Sequence, residues 1–360
     1  MKKIRCHGWQ WQIRHPEMLD DWFERWPEIM KSNQVKKNPA RTVFTVNERY
    51  FVKYFTPHGT FNRVIAFFNS KAKAEFKTGL ALEKTGIPVV KYLGWGKQAG
   101  YSMLLSAAKN DASTAMQQWH RNPQQRPELL AKLAQLTRLL MINHWFHPDY
   151  HAGNLLYDNN SLCLVDVYGI KRIASFSRKQ KLRMTAIILG LRQHINDDQA
   201  HKFILDSKIA DNESAAAEIW RDALFRDGRR IDSDWEKRRR QILNNYPKFV
   251  EVRGNISLHR LADGSIPDLG NAVKEIYSSE IALKLWLRSF FLELQGIAHR
   301  KILAWENHDT IYLENLEILP EVDPVKAMEF INRATLLGVE LTPKNLVQLK
   351  TGTVILGSII

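Results

Sequence analysis

Apolar and polar positions alternate from Arg41 onward. Arg-Thr-Val-Phe-Thr-Val, a polar Asn47-Glu48-Arg49 and Tyr-Phe-Val-Lys-Tyr-Phe predict a β-hairpin with one buried face, ending near Phe55. A helical period runs from about Asn69 to Lys84 and is stopped by Gly86 and Pro88. Val89 to Gly96 and Tyr101 to Leu105 predict a second hairpin around Lys97-Gln98-Ala99-Gly100, so the order is ββαββ. From Pro127 to His144, Leu129, Leu133, Leu136 and Leu140 share one helical face. A polar loop from His147 to Asn154 follows, then two short strands about the turn Asp158-Asn159-Asn160, the second running Leu162 to Asp166. Beyond Lys171 the pattern is helical almost throughout, with breaks near Asp197, Asp227 to Gly228, Gly254, Pro267 and Pro320 to Pro324. Residues 1–35, carrying Trp9, Trp11, Trp22 and Trp26, predict a short helical cap.

Composition narrows the classes. The chain has 360 residues, 44% hydrophobic and 25% charged, which fits a globular protein of about two packing units and excludes a disordered or repeat-only one. Only Cys6 and Cys163 are present, so no disulfide framework is expected and a reducing compartment is. No apolar core of signal-peptide length follows Met1-Lys2-Lys3, and the richest apolar stretch, Ile281 to Trp305, is broken by charges, so neither secretion nor a membrane span is expected. The net charge of +14 favours polyanionic partners: nucleic acid, anionic lipid headgroups or phosphorylated small molecules. The run from Arg221 to Arg240 holds eight basic residues relieved by five acidic ones and reads by default as a solvated helical face, with a patch for anionic lipid or glycan as its functional version. No nucleic-acid recognition module accompanies that run, which ranks nucleic acid below an anionic lipid or glycan.

The polar residues that stand out suit phosphoryl transfer, which needs a cation on the phosphates, an acid to aim it, oxygen ligands for Mg²⁺ and a carboxylate near the attacking hydroxyl. Lys53 lies in a strand and Glu75 on the next helix, so that an ion pair between them would aim the ammonium at the phosphates of ATP. Asp149 stands on a loop after a long helix, placed to take a proton from a hydroxyl, with His147 packing the loop behind it. Asn154 follows five residues later, the interval of H-R-D-x-x-x-x-N, and with Asp166 offers hard oxygen ligands for Mg²⁺. No G-x-G-x-x-G is present. Lys36-Lys37-Asn38-Pro39-Ala40-Arg41 stands in its place, so cationic side chains such as Arg41 are expected at the phosphates. The segment from Ser102 to Ala108, with Ser102 and Leu105, is expected to accept adenine through backbone groups.

Taken singly, each of these residues has an ordinary structural use: a loop Asp forms turns, and a strand Lys is solvated. Their joint order on the expected elements carries the reading. His144, His147 and His151 cluster without the spacing of a metal site and read as loop packing. Cys163 reads as a small core residue, and the tryptophans as anchors.

Phe51-Val52-Lys53, Lys73-Ala-Glu75-Phe, Gly86-Ile-Pro88-Val and Leu93-Gly-Trp-Gly96, with His147-Pro-Asp149 through Asn154 and Leu164-Val-Asp166-Val, resemble the protein-kinase-like fold. Over residues 35 to 195 the resemblance is to the lipopolysaccharide kinase (Kdo and heptose kinase) family. Pro148 replaces the Arg of His-Arg-Asp, and Val167-Tyr168-Gly169 replaces Phe-Gly after the metal-binding Asp. The resemblance implies an α+β, two-lobed fold with a small antiparallel-sheet lobe and a large helical lobe. The expected division is a Trp-rich cap (1–35), a small nucleotide-binding lobe (36–106), a catalytic helical lobe (107–210) and a helical extension (211–360) to which the resemblance gives no role. The resemblance further implies a kinase using ATP and Mg²⁺ on a sugar of an anionic glycolipid, in the cytoplasm and peripheral at the inner membrane. A small-molecule phosphotransferase of the aminoglycoside or choline kinase type shares the Asp-x-x-x-x-Asn spacing, and a noncatalytic kinase-like scaffold would use the basic face for binding alone.

Overall fold

A computed structural model of the chain describes residues 1–20, 22–32, 34–38, 41–57, 70–109, 112–158, 160–261 and 264–357. Pro39, Ala40, Asn69, Asn159 and the tail residues 358–360 lie outside these, as do the side chains of residues 35–38. The chain divides into two compact units, one of residues 1–118, 127–184 and 206–208, the other of residues 119–126, 185–205 and 209–360.

The first unit is built on a seven-stranded antiparallel sheet of β1 (Lys2–Cys6), β2 (Trp9–Ile13), β3 (Gln34–Asn38), β4 (Arg41–Val46), β5 (Tyr50–Phe55), β6 (Tyr92–Gln98) and β7 (Tyr101–Ala107). The spatial order is β1-β2-β6-β7-β5-β4-β3. The two hairpins expected from alternation form, and the helix between them, here α2, spans Lys71–Lys84, with Ser70 accepting from the Lys73 N–H as its N-cap.

The first 35 residues depart from the expected helical cap. Trp9, Trp11 and Ile13 are buried and alternate with Gln10 and Gln12, the period of a half-buried strand. The β1–β2 hairpin therefore extends the sheet through β2–β6 pairing, and only α1 (Trp26–Ser32) is α-helical. Trp9, Trp11, Trp22, Phe23 and Trp26 cover one sheet face with Phe44, Val52, Met103 and Leu105. They meet edge to face: Trp22 and Phe23 at 5.3 Å between centroids, Trp26 and Phe44 at 5.0 Å. Two small residues on β6 admit this layer. A Cβ on Gly96 would lie 2.7 Å from the Trp11 ring, and one on Gly94 2.8 Å from Ile13.

Period 2 sends Lys53 and its cross-strand partner Leu104 to the other face, where α2 packs over β6 and β7 and buries Ala72, Glu75, Phe76 and Leu82. Next comes α3 (Arg126–Ile142), whose Leu129, Leu133, Leu136 and Leu140 are buried as its pattern predicts. The hairpin of β8 (Leu155–Asp158) and β9 (Ser161–Leu164) is joined to the segment after α2: the Val90 N–H donates to the Leu164 carbonyl at 3.0 Å, and the Leu164 N–H to Pro88 at 2.9 Å. That tie fixes Asp166, two residues on, beneath the first sheet.

The second unit differs from an all-helical extension. It contains a five-stranded antiparallel sheet whose strands lie in the order Val250–Arg253, Ile256–His259, Ile302–Glu306, Thr310–Leu313, Val273–Ile276. Its helices include α4 (Glu213–Leu243), α5 (Ser279–Gln295) and α6 (Pro324–Leu336). The helical break expected at Asp227 to Gly228 does not occur, and α4 runs on for 31 residues. Gly228 is there for proximity rather than for a turn, since a Cβ on it would lie 2.8 Å from the Leu337 carbonyl oxygen. Asp227 is buried because Arg192 needs it: the guanidinium is 7% exposed, pairs with Asp227 at 2.9 Å and donates to the Gln295 carbonyl at 2.9 Å.

The Leu337 backbone cannot yield as a side chain would. Gly228→Ala is therefore expected to lower the unfolding free energy by about 1–3 kcal/mol in urea denaturation, whereas a merely solvated helix glycine would gain stability from the same change.

Candidate active site

Lys53 on β5 and Glu75 on α2 are brought together at 2.5 Å, and the same ammonium lies 3.5 Å from Asp166. Glu75 is fully buried and Lys53 nearly so, at 16% side-chain exposure. A buried carboxylate without a cation would cost several kcal/mol, so the pair is obligatory for the packing of α2 on this face. Arg41, at the start of β4, donates to the other Asp166 oxygen at 2.7 Å. Two cations and two carboxylates thus form one neutral cluster reaching across 125 residues of chain. Burial pushes the Asp166 carboxyl up, but the Lys53 charge, together with the hydrogen bond and charge of Arg41, outweighs it and holds the group below the usual carboxylate range. Asp166 adopts a left-handed backbone, φ 56°, in the turn that Gly169 completes at φ 88°. A non-glycine residue held there is mildly strained, a condition concentrated at functional turns.

Asp149 lies in the loop after α3 and is 76% exposed. The Asn154 amide donates to the Asp149 carbonyl at 3.0 Å and to its carboxylate at 3.2 Å. With its NH₂ committed, Asn154 has its amide oxygen left as an acceptor. The Val165 N–H donates to the Asn154 carbonyl at 3.0 Å, which couples this loop to the residue before Asp166. His151 turns the loop by accepting from the Gly153 N–H at 3.1 Å, and its Nε2 lies 3.7 Å from Asp149. His147 is fully buried. Its Nδ1 accepts from the Asp149 N–H at 3.2 Å, so the neutral ring carries its proton on Nε2.

Ser102 and Leu105 lie within β7, between β5 and β6, and their backbone groups belong to a strand laddered on both sides. Leu105 has the parity of Val52 and faces the tryptophan layer, away from Lys53. Leu104, which pattern reading passed over, is the neighbour of Lys53. At the far end of the segment, the Ala107 and Ala108 N–H groups donate to the carbonyls of Lys91 and Arg49. Tyr92 was also missed: its hydroxyl donates to Glu75 at 3.1 Å. Its only trace in the sequence is a glycine, Gly79, in the middle of a helix.

No group of three or more His, Cys, Asp or Glu side chains that could hold a metal occurs among the described residues. Asp166 and Asn154 each carry an oxygen donor of the hard kind that Mg²⁺ takes, with the two Asp166 oxygens engaged by Arg41 and Lys53 in this structure. Lys53 and Arg41 are the two cations of the cluster, each paired with a carboxylate.

No family model and no curated protein matches the chain. Among solved structures, WaaP in complex with acyl carrier protein is similar with a TM-score of 0.44 and 14% identity, over 59% of this chain and 97% of that one. Aminoglycoside-3'-phosphotransferase of type VIII is similar with a TM-score of 0.39 and 14% identity, over 57% of this chain and 98% of that one. The functional reading rests on the geometry of the chain itself.

Burial lowers His147 to about 4, against 6.5 for a free imidazole. Between those values the unfolded chain binds the proton and the folded one does not, so stability falls as pH drops from about 6.5 to about 4, by up to about 1.4 kcal/mol per pH unit from this group. Urea unfolding at pH 7, 6 and 5 is expected to give a shallower loss in His147→Gln than in the wild type. Equal slopes would mean that His147 is not the neutral, buried ring described here.

Proposed function

We propose that the chain is an ATP-dependent kinase that transfers a phosphoryl group to a sugar hydroxyl of an anionic glycolipid such as the lipopolysaccharide inner core. The observation that carries this reading is the shared Lys53 ammonium, held between fully buried Glu75 and Asp166, with the Asp149–Asn154 loop hydrogen-bonded alongside.

In this reading Lys53, aimed by Glu75, holds the α and β phosphates, and Arg41 supplies the cationic contact that a glycine-rich turn gives elsewhere. Asp166 and Asn154 hold Mg²⁺, which when bound neutralises phosphate charge. Asp149 is exposed enough to meet an incoming hydroxyl, while Asn154 fixes its orientation; its carboxylate orients that hydroxyl and takes the proton as the oxygen attacks. The neutral His147 beneath it keeps the loop packed without adding a positive charge that would pair with Asp149.

The acceptor class rests on charge. Arg226, Arg229, Lys237 and Arg240 are exposed on α4, and a basic surface of this kind attracts phosphorylated glycans and anionic headgroups at about 1 kcal/mol per residue. No helix among the described residues is long and apolar enough to cross a membrane, and the cytoplasmic, membrane-peripheral location is part of the same proposal.

Asp149→Asn is expected to lower phosphoryl transfer by at least 10²-fold with binding of Mg²⁺ and ATP nearly unchanged. Asp166→Asn is expected to remove the Mg²⁺ dependence of ATP binding in a thermal-shift assay. Full turnover in the Asp149 variant would take that residue out of the mechanism. Turnover on aminoglycosides or choline, with none on lipopolysaccharide core sugars, would replace the acceptor, and a wild type that binds no nucleotide would leave only a scaffold.

A further inference from the structure

The Lys53–Glu75 pair rests on a side chain that the phosphotransfer reading does not use. Tyr92, the first residue of β6, is fully buried, and its hydroxyl donates to Glu75 Oε1 at 3.1 Å, the same oxygen that Lys53 approaches at 2.5 Å. One carboxylate oxygen is thus shared by the phenol and the ammonium.

The ring reaches this place because α2 leaves a gap for it. Glu75 and Gly79 are one helical turn apart and share a face. A Cβ on Gly79 would lie 2.2 Å and 2.4 Å from two carbons of the Tyr92 ring, so any side chain there would collide with the phenol. Glycine inside a helix costs about 1 kcal/mol against alanine, a cost that this fit accounts for. Glu75 Oε2 is buried and accepts no hydrogen bond among the described residues, so the carboxylate is held through Oε1 alone, by Lys53 and Tyr92.

We propose that Tyr92 is a positioning residue: its hydroxyl fixes the Glu75 carboxylate oxygen that holds Lys53, and so sets the phosphate-holding ammonium against Asp166. The bonds form a chain from the Tyr92 hydroxyl through Glu75 and Lys53 to Asp166. This inference rests on the phosphotransfer reading for what the ammonium holds, but the chain of bonds is a feature of the fold alone.

The test is a double-mutant cycle of Tyr92→Phe and Glu75→Gln, read as the affinity for ATP with Mg²⁺ by calorimetry, with thermal unfolding of the unliganded proteins alongside. Phenylalanine keeps the ring against Gly79 and removes only the bridging oxygen. Tyr92→Phe is expected to weaken Mg²⁺–ATP binding about tenfold, as loss of a hydrogen bond to a charged group does, and to weaken it much less when Glu75 is already glutamine. Additive losses, or a Tyr92→Phe protein that binds as the wild type does, would overturn the positioning role. Should Tyr92→Phe lower the unfolding temperature, the cycle still decides, because general destabilisation adds to the Glu75 effect whereas the bridge does not. A wild type with no affinity for Mg²⁺–ATP would instead sink the nucleotide reading, and the Tyr92–Glu75 bond would then be tested by the same cycle on unfolding free energy.

Discussion

A carboxylate with no exposed surface has to be neutralised, and in this chain that need organises the first unit. Glu75 can be buried under α2 only if a cation comes up from the sheet beneath it, and Lys53 does so from the central part of β5. Once the ammonium is fixed, Asp166 has to lie within its reach, which the backbone bonds between Leu164 and the segment from Pro88 to Val90 arrange. Arg41 then covers the second oxygen of Asp166. Packing, backbone ties and charge compensation agree, so the cluster needs no single strong bond.

The two halves of the site have opposite characters. Lys53, Glu75 and Tyr92 are enclosed and hydrogen-bonded, a rigid mount. Asp149 is open to solvent and held from one side by Asn154. In the proposed kinase the enclosed half, where fixed charges are little screened by water, would hold the phosphate donor, and the open half would meet the hydroxyl acceptor.

Much of this was legible in the chain. The β4–β5 hairpin and α2 follow strict periods of 2 and 3.6, and the order of Lys53, Glu75, Asp149, Asn154 and Asp166 was enough to expect that Lys53, Glu75 and Asp166 meet. What escaped has physical causes. In β2 Gln10 and Gln12 alternate with Trp9, Trp11 and Ile13, and the density of tryptophan hides the alternation. The strands of the second unit are mostly four residues long, too short to declare a period beside long helices. Gly228 read as a break because a close backbone approach leaves the same mark in sequence as a turn. That Leu104, and not Leu105, shares the face of Lys53 is settled by strand register, which residue type alone does not give. Tyr92 depends on the missing side chain of Gly79, a complementarity visible only in three dimensions.

The contacts that make the cluster span 22, 113 and 125 residues of chain. Closing loops of the two longer lengths costs entropy that is recovered only after the sheet and the β8–β9 hairpin are both in place. A partly folded first unit therefore has no complete cluster, and a ligand bound to all four of its charged groups would report that this whole unit has reached its native arrangement.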